Sequence, residues 1–215
     1  MLIRNGEKIL FTGDSVTDAG RARPVGMCNN GLGSAYVSVI NNFLTAYCPE
    51  MRFPIYNTGV GGNTSRDLLA RFDTDVLDLH PDTVCIMIGV NDVWRQYDTP
   101  DYKERHVYID EYEKNLREMI EKATNAKIRV ILMTPYYIEP NKEDWMRKSV
   151  DEYGAVVKKL AKEYNLLCID VQKPFDEYLK YRYSAFVVWD RVHPNAVGSM
   201  LIAREFLKAI GFDRF

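Results

Sequence analysis

Short runs of β-branched and large apolar residues alternate along the chain with longer segments whose apolar residues recur every three or four positions. The short runs, bounded by turn-forming residues, predict strands at 8–13, 53–57, 83–89, 129–134 and 166–170. The longer segments predict helices over 35–47, 65–77, 111–125, 150–164 and 196–210. In the last of these, Val197, Leu201, Phe206 and Ile210 are expected to line the inward face, with Arg204, Glu205 and Lys208 toward solvent. Such alternation describes βαβ units with right-handed crossovers and a parallel sheet covered on both faces. No linker, repeat or low-complexity tract interrupts it, so a single domain over 1–215 is expected. The stretches 93–108 and 173–194 show neither period and read as long loops, which in compact α/β domains tend to carry function.

In an open parallel sheet the ligand sits beyond the carboxyl ends of the strands, so the residues after each strand come first. After the first strand stands Gly13-Asp14-Ser15, where a tight turn places Ser15 near a helix start whose free N–H groups favour a developing negative charge. The same position equally suits a plain helix cap. A phosphate loop fits less well, because no second glycine opens the backbone to a phosphate. After the second strand come Gly59, Gly61 and Gly62, then Asn63 and Thr64, a stretch that either forms an ordinary glycine-rich turn or lets a substrate approach the backbone closely. After the third strand, Asn91 of Gly89-Val90-Asn91-Asp92 offers amide donors that can polarise an oxyanion without protonating it.

The chain has three histidines. His80 lies at the amino end of the third strand, the wrong edge of the sheet, and His106 sits in a charged, solvated-looking stretch. His193 remains as the candidate general base, with Asp190 before it across a turn of two intervening residues, close enough to fix its tautomer.

Charge narrows the function class. The 28 basic and 30 acidic residues are spread along the chain for a formal net charge of -2, so no basic stripe answers a nucleic acid. The 47% hydrophobic content is ordinary, no apolar run approaches the roughly 20 residues that span a bilayer, and the polar start predicts a cytoplasmic protein. Cys28, Cys48, Cys85 and Cys168 form no C-x-x-C pair and read as free, inert thiols.

Gly13-Asp14-Ser15, Gly61 to Thr64, Gly89 to Asp92 and Asp190 to His193 together resemble the four blocks of the SGNH hydrolases, also called GDSL esterases, in the order of that family. The resemblance implies a flavodoxin-like three-layer α/β/α fold with a five-stranded parallel sheet of order 2-1-3-4-5 and no metal or organic cofactor. It further implies Ser15 as nucleophile, Asp190 and His193 as its triad partners, and an oxyanion hole from the N–H groups of Ser15 and Gly62 with the amide of Asn91. Gly20 to Pro24, Asn91 to Asp98, Met133 to Pro135 and Trp189 to Pro194 look like the bacterial intracellular acetylxylan esterases of this superfamily.

That likeness points to a small-molecule substrate, an acetylated sugar or oligosaccharide. Asp14 and Asn63 are expected beside it, with Trp94, Tyr97 and Trp189 able to stack on a sugar ring. The competing readings are a lysophospholipase or thioesterase on the same fold, and a non-catalytic carbohydrate-binding relic. Tyr178, Tyr181, Tyr183 and Phe186 hint at a homo-oligomer interface, although a wall of the active site would look similar.

Overall fold

The computed structural model describes residues 1–213; Arg214 and Phe215, the end of the expected 1–215 domain, lie outside the described residues. One sheet contains β1 (Ile9–Gly13), β2 (Gly26–Met27), β3 (Ile55–Asn57), β4 (Thr83–Met87), β5 (Arg129–Met133) and β6 (Leu167–Ile169), in the order β2-β3-β1-β4-β5-β6. The five parallel strands, counted among themselves, keep the order 2-1-3-4-5. The expected five-stranded sheet is corrected by β2, which pairs antiparallel to β3 through Gly26↔Asn57 and Met27↔Tyr56. Two residues are too few to show an alternation, so this edge strand leaves no periodic trace.

Every residue of β1 and β4 is buried, the pattern of parallel strands covered on both faces. Phe11 of β1 meets the rings of Tyr36 at 5.8 Å and Phe206 at 5.1 Å. Full burial of a side chain of that size contributes about 1.5–3 kcal/mol.

The helices are α1 (Ser15–Asp18), α2 (Tyr36–Tyr47), α3 (Ser65–Ala70), α4 (Phe72–Asp75), α5 (Val90–Asp98), α6 (Ile109–Asn125), α7 (Trp145–Glu163), α8 (Gln172–Leu179) and α9 (Ala196–Ala209). One layer joins α2, α8 and α9, and the other joins α3 with α6 and α5 with α7, α6 and α7 also packing together.

Several expectations shift. The stretch 93–108 is not irregular throughout, because α5 runs to Asp98, and 173–194 opens with α8. The helix expected over 65–77 breaks at Arg71, between the buried Leu68 and Phe72, so that both neighbours reach the core while the guanidinium turns toward the strand ends. In α9 the buried stripe is Ile202, Ala203, Phe206, Leu207 and then Ile210, whereas Val197 is exposed and Leu201 half-buried. Gly198 and Ser199 take the inward positions of its first turn, so the phase cannot be read from large apolar residues alone.

All four cysteines are free; Cys48 and Cys85 are buried, and burial pushes the Cys168 thiol up to about 11. No helix among the described residues is long and apolar enough to cross a membrane.

Candidate active site

β1 ends at Gly13, where an added Cβ would stand 2.1 Å from the Met87 carbonyl oxygen of β4, so only glycine lets the strand end this close to its neighbour. Asp14 then caps α1: its carboxylate accepts the Val16 N–H at 3.0 Å. The cap is therefore Asp14 and not Ser15, which leaves the serine hydroxyl free for His193 Nε2, 2.7 Å away. As first residue of α1, Ser15 also presents a backbone N–H with no acceptor among the described residues. Asp14, expected beside the substrate, is only 2% exposed. Burial pushes its carboxyl up to about 6, against the Val16 N–H and the charges of His193 and Arg71.

The His193 loop is built around Asp190. One carboxylate oxygen accepts the N–H groups of Val192 at 3.0 Å and His193 at 2.7 Å, and the other meets His193 Nδ1 at 2.5 Å. Arg191 makes the reversal possible with a left-handed φ of 68°. Burial raises the Asp190 carboxyl, but the bonds from the His193 ring and the two backbone N–H groups outweigh it and hold the carboxyl below its ordinary value. Two further bonds pin the loop: the Tyr136 hydroxyl donates to the Val192 carbonyl at 2.9 Å, and the Ile138 N–H to the Arg191 carbonyl at 2.9 Å. The Val188–Pro194 bridge closes it, and Asn195 caps α9 directly after.

The glycine-rich turn lies against the nucleophile, since a Cβ built on Gly61 would sit 3.9 Å from Ser15 Cβ. Gly61 and Gly62 compete for the oxyanion role, and their bonding separates them. The Gly61 N–H is spent on the Asp18 carboxylate at 3.0 Å. Gly62, with φ of 81°, carries an exposed N–H that donates to nothing among the described residues. Asn91 is 3% exposed and donates one amide hydrogen to the Asn63 carbonyl at 3.0 Å, leaving the second uncommitted. The Asn63 side-chain oxygen is taken by Arg71 Nε at 2.7 Å, so only its amide group remains for a ligand.

Three residues that sequence reasoning gave no role hold this arrangement. Arg71 donates to the Gly13 carbonyl at 2.9 Å, the Thr58 carbonyl at 2.7 Å and Asn63, bridging the nucleophile turn and the glycine turn. Asp92, fully buried, accepts from the Ser65 N–H at 3.0 Å and the Ser65 hydroxyl at 2.5 Å, fixing the start of α3 just after that turn. Burial pushes the Asp92 carboxyl up to about 7 against those bonds. Tyr136 is the third. Asp92 stood in the Gly89 to Asp92 block without a role of its own, and Arg71 and Tyr136 had no legible signal, because an Arg in a helical segment or a Tyr in an apolar run is ordinary.

Trp94 and Trp189 flank the base, with ring centroids 6.0 and 6.3 Å from the His193 ring, and Trp189 is 84% exposed. The Arg95 guanidinium lies 5.1 Å from the Trp94 ring, covering part of it. Tyr97 stands farther out and bonds the Trp145 carbonyl at 3.2 Å and Ser149 Oγ at 2.9 Å. Tyr181, Tyr183 and Phe186 are exposed, whereas Tyr178 packs against the core. His106 is buried rather than solvated, its ring nitrogens meeting the Thr99 carbonyl at 3.0 Å and the Tyr108 hydroxyl at 3.2 Å.

A depression of about 280 Å³ at Ser15 and His193 is rimmed by the small residues Ala19, Ser34, Ala35 and Ala196. A wider cleft of about 610 Å³ opens from Trp94 toward the start of α7. A third cavity, about 570 Å³ between α7 and α8, touches no triad residue. Its Arg147 is 2% exposed and spends its donors on Asp151, Asp176 and the Glu139 carbonyl, a structural clamp. Among the described residues no group of three or more His, Cys, Asp or Glu could hold a metal ion.

Residues 11–201 match the GDSL-like lipase/acylhydrolase family. An acetylxylan esterase of Geobacillus stearothermophilus is 52% identical over 99% of this chain and 98% of its own length. A crystal structure of an acetylxylan esterase from that organism superposes with a TM-score of 0.97 at 51% identity, covering 99% of this chain and 98% of the other. An alpha/beta hydrolase enzyme from the metagenome of Lake Arreo, Spain, gives 0.95 at 46% identity, with coverage of 99% and 98%.

Proposed function

The chain belongs to the GDSL-like lipase/acylhydrolase family, and on that premise we propose that it is a serine esterase removing acetyl groups from acetylated xylo-oligosaccharides. The observation that carries the chemistry is the unbroken hydrogen-bond line from Asp190 through His193 to Ser15, beside N–H donors that nothing else among the described residues uses. The similarity to acetylxylan esterases along nearly the whole chain supports the substrate class.

In the first half-reaction Ser15 Oγ bonds to the acetyl carbon while its proton passes to His193 Nε2. Asp190 keeps Nδ1 protonated and stabilises the imidazolium. The carbonyl oxygen, now an anion, takes hydrogen bonds from the Ser15 and Gly62 N–H groups and the free amide hydrogen of Asn91. One such donor is worth about 2.7–4 kcal/mol of barrier elsewhere. The C–O bond to the sugar then breaks, and the His193 proton goes to the departing sugar oxygen. In the second half-reaction water gives a proton to His193 and attacks the acetyl-Ser15 carbon; the bond to Ser15 Oγ then breaks, His193 returns its proton to Oγ, and acetic acid leaves and ionises to acetate.

The small residues rimming the Ser15 depression give an acetyl group room and offer a long acyl chain little apolar length. An acetate-release assay on acetylated xylo-oligosaccharides, run beside a chain-length series of p-nitrophenyl esters, tests this reading. Acetate release with acetyl esters preferred supports it. A rate optimum at long acyl chains with no acetate from xylo-oligosaccharides rejects it in favour of a lipid esterase.

A further inference from the structure

The 610 Å³ cleft is within the roughly 300–1,000 Å³ of small-molecule sites, yet no triad residue lines it, and Trp94 joins it to the reacting atoms. The Trp94 ring lies 6.0 Å from that of His193. Trp145, the first residue of α7, also lines the cleft and is 79% exposed. An indole left that open buries almost nothing for the fold, so packing does not account for it.

Its mount, by contrast, is rigid. Tyr97 holds the Trp145 carbonyl and Ser149, Asp144 caps α7 through the Arg147 N–H at 2.9 Å, and the neighbouring Met146 is buried. A fixed backbone carrying an open aromatic face is a preformed platform, which binds a ligand without first being ordered.

Three acids, Asp98, Glu143 and Asp144, share the lining with Tyr97, Tyr137 and Met146. Asp98 pairs with Arg95 at 2.9 Å, and Asp144 lies 3.8 Å from Arg191, whereas the Glu143 carboxylate has no partner among the described residues. Aromatic faces combined with unshared carboxylate oxygens fit a neutral polyhydroxylated chain, whose C–H surfaces stack and whose hydroxyls donate. The same acids repel an anion. Through Arg191, which also meets Glu139 at 3.1 Å, the cleft wall is tied to the loop carrying Asp190 and His193.

We propose that this cleft is a second sugar subsite, taking units of an oligosaccharide beyond the acetylated one, with Trp145 as the stacking platform and Glu143 as a hydroxyl acceptor. The inference rests on the reading of the site as a carbohydrate deacetylase. It makes the enzyme select for chain length as well as for the ester.

The test compares native protein with Trp145→Ala, a substitution at an exposed helical position that removes almost no core. The first readout is the ratio of kcat/KM on acetylated xylotetraose to that on acetylated xylose, and the second is calorimetric binding of unacetylated xylotetraose. The native ratio is expected well above one and should fall by about three- to tenfold in the variant, mainly through KM, with weaker xylotetraose binding. A native ratio of one, or a ratio unchanged in the variant, overturns the subsite. If acetate is released from neither sugar while p-nitrophenyl acetate is cleaved, the deacetylase reading fails. Binding then judges the subsite alone: xylotetraose bound by the native protein and weakened in Trp145→Ala keeps it, and no binding, or binding equal in both, removes it.

Discussion

The side-chain amide of Asn91 donates to the Asn63 carbonyl at 3.0 Å, joining the start of α5 to the glycine turn after β3. One amide group thus fixes the turn that presents Gly62 and keeps a second hydrogen for the oxyanion.

Asn91→Ala removes both, and kcat should fall by about 10²–10³ with little change in KM. Steady-state kinetics on p-nitrophenyl acetate checks this. A change confined to KM would make Asn91 a substrate-binding group instead.

Ser15→Ala should abolish turnover and leave Tm unchanged, because the cap of α1 belongs to Asp14. Thermal melts beside activity assays separate the two effects. Native-like turnover would remove Ser15 from the mechanism.

Asp190→Asn keeps an oxygen for the backbone N–H groups of Val192 and His193 but gives up the carboxylate facing Nδ1. A loss of about 10⁴ in kcat is expected, the size seen when a triad carboxylate becomes an amide. A loss under tenfold would show that the loop, rather than the charge, positions His193.

Asp92 ties stability to pH. Burial raises its carboxyl from 3.8 to about 7, so between those values the folded protein holds a proton that the unfolded chain has lost. Stability from this group is therefore present at the acid side of the window and is lost as pH rises through about 7. Asparagine does not titrate, so Tm of the native chain minus Tm of Asp92→Asn should be larger at pH 5 than at pH 8. Equal differences at the two pH values, read by scanning calorimetry, would mean that Asp92 is already ionised at pH 5 in the folded protein.

The parallel strands and the helix layers were legible because burial on both faces writes a continuous apolar run into β1 and β4. The four motifs were legible because each follows a strand or opens a helix. What escaped was set by tertiary contact. Arg71 breaks a helix to reach carbonyls distant in sequence, and β2 is too short to show a period. The phase of α9 is fixed by small residues at Gly198 and Ser199, and His106 looked solvated because its partners, Thr99 and Tyr108, lie inside the charged stretch itself.

Acid and base share one short loop, sealed by the Val188–Pro194 bridge and folded around the Asp190 carboxylate, whereas the nucleophile is anchored at the end of a central strand. The two pieces meet at the 2.7 Å contact between Ser15 and His193. Any breathing between them separates hydroxyl from imidazole before it disturbs the 2.5 Å contact inside the loop. The proton on Nδ1 should accordingly keep its strongly hydrogen-bonded NMR resonance in Ser15→Ala. Catalytic readiness in this protein is then a matter of how often that contact is closed, while the dyad itself travels intact.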